Sequence, residues 1–113
     1  MTLTTIEKAA KLLGLHELEY RRGSDAWYYT NPDSGREEFN PYTNKADLVD
    51  VECALGIAFW WGADDISAWS CAEGFNDEDI TGRGNYADHP DKFTARAHAV
   101  MAVVEQIYDR REG

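Results

Sequence analysis

The sequence predicts an α+β fold, a small antiparallel sheet with a hairpin at its centre, packed by about three helices. Two apolar runs around residues 56–61 and 66–72 flank a short turn, Gly62-Ala63-Asp64-Asp65, and read as a β-hairpin. The segments on either side carry helical periodicity and helix start signals, and a lone hairpin needs such cover to be stable in water. A chain of 113 residues that is 43% hydrophobic and 12% aromatic holds enough apolar material for one core and one domain.

Taken in order, Thr4-Thr5-Ile6-Glu7 has the spacing of a capping box, so a helix starts there. Leu3, Ile6, Ala9 or Ala10, and Leu13 recur at helical spacing, and Gly14 supplies the left-handed residue that ends such helices. Residues 15–22 have a mixed pattern and read as loop or a ragged extra turn, with Leu15 and Leu18 free to be buried. Ala26-Trp27-Tyr28-Tyr29-Thr30 suits a pleated surface, and Asn31-Pro32-Asp33-Ser34-Gly35 makes a turn from which residues 36–40 return as a short strand.

Thr43 or Asn44 caps a second helix reaching about Leu55, with Asp47 in its first turn and Gly56 as its stop. Its inner face is Leu48, Val51, Glu52 or Cys53, and Leu55, with Cys53 expected as a small buried hydrophobe. In the hairpin, alternation puts Ile57, Phe59 and Trp61 with Ile66, Ala68 and Ser70 on one face, and Trp60 and Trp69 on the other. Large apolar residues on both faces imply either that both are covered or that one is a binding surface. The expectation is that both are covered and the hairpin is the buried middle of the domain. Residues 73–86 form the longest stretch without a period and read as a functional loop. A last helix opens after Asp88-His89-Pro90-Asp91, with Phe93, Ala97, Val100 or Met101, Val104 and Ile107 as its apolar stripe.

The chain carries 21 acidic against 11 basic residues, a formal net charge of -10. Such a field repels nucleic acid and anionic membranes; it either keeps the chain soluble and monomeric or mimics nucleic acid toward a basic protein surface. No run approaches the roughly 20 apolar residues of a membrane span, and the N-terminus lacks the order of a signal peptide. With two unpaired cysteines, Cys53 and Cys71, the protein is expected in the cytoplasm.

Candidate chemistry is sparse. Asn76-Asp77-Glu78-Asp79 lacks the alternating ligands, central Gly and terminal Glu of a calcium loop. Gly82-Arg83-Gly84 lacks the Lys-Ser/Thr of a phosphate loop; its glycines are expected to serve tight turns, and Arg83 to pair with a nearby carboxylate. His16, His89 and His98 have no zinc spacing, and His98 is expected as a hydrogen-bonded structural residue. Trp27, Tyr28, Tyr29, Phe59, Trp60, Trp61 and Trp69 are expected mostly in the core, with one or two exposed as hot spots for a partner.

Pro41-Tyr42-Thr43-Asn44-Lys45-Ala46-Asp47-Leu48-Val49 entering a helix, the tryptophan-rich hairpin, and Thr94-Ala95-Arg96-Ala97-His98-Ala99-Val100-Met101-Ala102 together resemble the phage ABA-sandwich domain family. The likeness runs from Tyr42 onward, and the acidic insertion at residues 73–79 departs from the family pattern. The resemblance implies a helix-sheet-helix sandwich from a phage or prophage, and it carries over no catalytic residue.

From these features we expect a phage-encoded acidic binding protein that acts inside the host cell, monomeric or dimeric, without cofactor, metal or catalytic residues. Its partner is expected to be a host protein with a basic surface, such as a nucleic-acid-binding CRISPR effector that the protein inhibits. The expected partner contacts are Asp64 and Asp65 in the hairpin turn, with Glu73, Asp77, Glu78 and Asp79 in the loop that follows. The alternatives are a small metal- or nucleotide-dependent enzyme using residues 73–91, and a structural phage component.

Overall fold

Three α-helices and two three-stranded antiparallel sheets make up the α+β fold seen in a computed structural model, which describes residues 4–24, 26–71 and 80–112. The first helix, α1 (Thr5–Leu13), starts where the capping box predicts: Thr4 accepts from the Glu7 N–H, and Glu7 reaches back to the Thr4 N–H. Gly14 closes it at φ 72, in the left-handed region. Lys8, within this helix, has its side chain buried against the last helix, where its Nζ donates to Asp109 at 2.9 Å and to Glu105 at 3.3 Å.

The first sheet follows as β1 (His16–Arg21), β2 (Ala26–Asn31) and β3 (Gly35–Phe39), in that spatial order. Its first strand replaces the loop or ragged turn expected over residues 15–22. The sequence hides this strand because Glu17, at φ 55, sits in an irregularity that breaks the register between His16 and Glu19, so no two-residue period survives. The strand is held instead by polar contacts: Arg36 donates to the Glu17 carbonyl at 2.8 Å and pairs with Glu19. Leu18, Tyr29 and Phe39 tie this sheet to the main core.

The second helix, α2 (Lys45–Leu55), is capped by Asn44, whose side chain accepts from the Asp47 N–H, and stops at Gly56 with φ 61. Leu48, Val51, Glu52 and Leu55 face inward, whereas Cys53 is exposed, contrary to the expectation that it is buried. Asp47 accepts from the Asn40 N–H at 2.9 Å. Burial, together with the neighbouring Asp50, Glu37 and Glu38, raises its pKa, so it is a partly desolvated acid and not only a partner for the helix dipole.

The hairpin is the start of a second sheet, β4 (Ile57–Trp61), β5 (Asp65–Ser70) and β6 (Thr81–Asn85), in the order β4-β5-β6. The strands therefore divide between two sheets, where one was expected. Part of the stretch expected to be an irregular loop, residues 81–85, is the third strand of this sheet. Its sequence, Thr81-Gly82-Arg83-Gly84-Asn85, has only Thr81 as a strand former. It pairs in unbroken register with β5, from Asp65↔Asn85 to Trp69↔Thr81.

The reason lies in the last helix, α3 (Lys92–Glu112), which runs across the inner face of this sheet. A Cβ on Gly82 would stand 1.9 Å from the Ala99 carbonyl oxygen, and one on Gly84 2.2 Å from that of Ala95. These glycines do not serve tight turns; they let strand and helix meet backbone to backbone. Beside them, Ala95, Ala97, Ala99, Val100, Met101, Val103, Val104 and Ile107 of α3 are buried with Ile57, Ile66, Ala68 and Ile80. On the β4 side Glu52 and Arg96 form a part-buried two-pronged ion pair, with the Arg96 guanidinium 4.5 Å from the centre of the Phe59 ring.

Candidate functional site

Cross-strand register places Ala58 and Trp60 of β4, Asp65, Ser67 and Trp69 of β5, and Thr81, Arg83 and Asn85 of β6 on the face of the second sheet turned away from α3. The parity expected for Trp60 and Trp69 holds, but their burial does not. Trp60 is 70% exposed and Trp69 37%, because α3 covers only the opposite face. The hairpin is thus the outer wall of the domain and not its buried middle. Trp60 lies directly across from Ser67 and Trp69 across from Ala58, so the two indoles are diagonal neighbours, with small residues completing the square. Among the described residues neither ring packs on another aromatic.

Between Trp69 and Arg83 this face is hollowed into a shallow depression of about 400 Å³, floored by Ser67, Ala68, Thr81 and Gly82. It exists because Ser67 and Thr81 bring only short side chains to this face. Arg83 crosses its rim and pairs with Asp65, Nε to Oδ2 at 3.1 Å, as the expectation of a nearby carboxylate has it.

Of the six residues expected to meet a partner, Asp64 and Asp65 border this face. Asp64 is exposed at the tip of the turn, its carbonyl accepting from the Tyr86 N–H at 3.1 Å. Asp65 is half-buried and committed to Arg83, so it shapes the rim more than it offers a free charge. Glu73, Asp77, Glu78 and Asp79 lie outside the described residues. A row of rings supports the turn from below: Phe59 meets Trp61 edge to face at 5.7 Å, Trp61 meets Tyr86 at 6.3 Å, and the Tyr86 hydroxyl donates to the Gly62 carbonyl at 2.9 Å. Trp60 and Trp69 are the members of the face that sequence reasoning placed in the core. Their shared parity, opposite to that of Ile57, Ile66 and Ala68, was the available signal.

Among the described residues, no group of three or more His, Cys, Asp or Glu side chains is placed to hold a metal ion. His98 stacks on His89, at 4.4 Å, and meets Tyr42 at a tilt, at 4.8 Å, in place of the expected hydrogen bond. Burial and the neighbouring His89 both lower its pKa. No helix among the described residues is long and apolar enough to cross a membrane. Compared with known families and with curated proteins, the chain matches no family model and no curated protein.

Proposed function

We propose that the protein acts by binding, not by catalysis, and that it meets a basic surface on another protein with the open face of its second sheet. The observation that carries this reading is Trp60, 70% exposed beside Trp69 on a sheet face that no helix among the described residues covers. Exposed tryptophans on a rigid surface are the commonest anchors of protein interfaces. A net charge of -10 selects the sign of the partner and speeds its approach, with Asp64 exposed at the tip of the hairpin. In the version suggested by the resemblance to phage proteins, the partner is a host protein whose basic surface normally holds nucleic acid, such as a CRISPR effector, and the chain is its inhibitor.

The test is affinity capture from a bacterial lysate, run side by side with wild type and a Trp60→Ala/Trp69→Ala variant whose fold is checked by circular dichroism. A protein with a basic surface is expected on the wild type alone, and lost at about 0.5 M salt, where charge attraction is screened within a few ångströms. Equal recovery on both proteins, or recovery indifferent to salt, refutes the reading.

A further inference from the structure

The two edges of the second sheet are finished differently. On the β6 edge, the Thr81 carbonyl accepts from Gln106 Nε2 at 2.6 Å, Arg83 puts a charge on the strand, and Gly82 and Gly84 lie flush against α3. These are the devices by which proteins blunt an exposed strand. The β4 edge has none of them. Its sequence, Ile57-Ala58-Phe59-Trp60-Trp61, carries no charge and no proline, and its five pairs with β5 run without a bulge.

The direction of its backbone groups follows from two hydrogen bonds. The Gly62 N–H donates to the Asp65 carbonyl at 2.7 Å, and the Cys71 N–H donates to the Gly56 carbonyl at 2.7 Å. Gly56 and Gly62 are an even number of residues apart, so Ala58 and Trp60 also turn their N–H and C=O toward β5. The N–H and C=O of Phe59 and Trp61 therefore point outward, and no described residue takes them. Ile57 is buried where α2 runs into the strand, which leaves Phe59 to Gly62 as the open stretch, bordered by the exposed indoles of Trp60 and Trp61.

We propose that this stretch of β4 is a strand-addition site, at which an extended segment of the partner, bearing Arg or Lys at alternate positions, becomes a fourth strand of the second sheet. The inference rests on the binding function proposed above and specifies how the partner is held. Main-chain hydrogen bonds from Phe59 and Trp61 supply affinity that is blind to sequence, and the side chains of the added strand supply selectivity. The new strand's outer side chains stand beside Trp60, whose unstacked indole is a cation–π acceptor. A second copy of this chain is a poor occupant, because it would bring another charge of -10 against the first.

The test uses the intact protein and a peptide of four Thr-Arg repeats, followed by tryptophan fluorescence and by amide hydrogen exchange read by NMR. Two further peptides carry N-methyl groups on every Thr or on every Arg, so that each set blocks only the N–H groups on one side of the strand. One methylated peptide is expected to bind roughly tenfold or more weakly and the other to stay within about threefold, since two backbone hydrogen bonds are at stake in only one of them. Exchange at Phe59 and Trp61 is expected to slow on binding, whereas Ala58 and Trp60 are already protected by β5. Equal weakening by both methylated peptides, no binding of the parent peptide, or slowed exchange confined to other residues overturns strand addition. A concentration-dependent dimer in light scattering that buries the β4 amides also overturns it, in favour of a second copy. None of these outcomes touches the lysate capture, so a partner that still requires Trp60 and Trp69 would leave the binding function standing while this mode of contact falls.

Discussion

Gly82→Ala is expected to cost more than any surface substitution in the chain, because both partners in its contact are backbone. The added Cβ stands 1.9 Å from the Ala99 oxygen, 2.9 Å from its carbonyl carbon and 3.0 Å from the Ala102 Cβ. Real Cβ atoms essentially never come within 3.0 Å of another heavy atom, so β6 and α3 must part by about 1.1 Å. No flexible side chain is available to yield. Overfilling a packed interior costs about 1–3 kcal/mol, and opening a seam by about 1 Å also forfeits a quarter to a half of the dispersion energy along it. We therefore expect about 3 kcal/mol, a fall of roughly 1.5 M in the urea midpoint for a domain of this size. Tryptophan fluorescence and far-ultraviolet circular dichroism give the midpoint. Gly23→Ala, where nothing lies within 4 Å, is the control and should stay within about 0.5 kcal/mol of wild type. A Gly82→Ala protein as stable as that control would mean that β6 and α3 are not in backbone contact, and the account of the second sheet would fall with it.

Glu52→Ala should destabilise by about 3 kcal/mol, since it leaves Arg96 unpaired in a partly desolvated site, while Glu52→Leu with Arg96→Met should recover most of the loss; urea midpoints of wild type and the two variants decide. The Tyr29 hydroxyl donates to Glu37 at 2.8 Å, and this bond, then burial, pushes its pKa up to about 12. The fold thus favours the neutral phenol, so its contribution to stability is whole below pH 10 and drains away between about pH 10 and 12. Alkaline absorbance titration of wild type minus Tyr29→Phe should reveal one late phenolate; a difference titrating near 10 would contradict the contact. His98 should titrate below its usual 6.5, because burial first and His89 second disfavour the imidazolium. Its share of stability is then full above that value and lost as the pH falls through the folded pKa. NMR of His89→Asn should show the His98 midpoint moving part of the way up, and an unmoved midpoint would mean that the rings do not stack.

Much of the fold was legible where local chemistry and tertiary packing agree. The capping box at Thr4 and Glu7, the glycine stops at Gly14 and Gly56, and the stripe of α3 all lie where the sequence puts them. What was not legible depends on contacts between distant residues. The strand β1 is polar and bulged, and it exists because β2 and Arg36 hold it. The strand β6 reads as a loop because its glycines are defined by Ala95 and Ala99, more than ten residues away. The site was half legible: parity set Trp60 and Trp69 apart from the core residues, but a sequence does not say how many layers a sheet will have. Asp65 could be picked as an acid in a turn, yet its engagement with Arg83 depends on the pairing of β5 with β6.

The absence of side chains between β6 and α3 has a consequence for recognition. A sheet backed by ordinary side chains can slide and breathe as rotamers change, whereas one resting on helix backbone has almost no soft coordinate in that direction. The indoles of Trp60 and Trp69 and the bare edge of β4 are thus carried on a sheet whose third strand is pinned to α3 through its backbone. A partner that docks there has little ordering of the receptor to accomplish, and nearly all the entropy of association falls on the partner's own segment. Loosening the sheet without touching its outer face, as Gly82→Ala does, should weaken binding even though no contacting residue has changed.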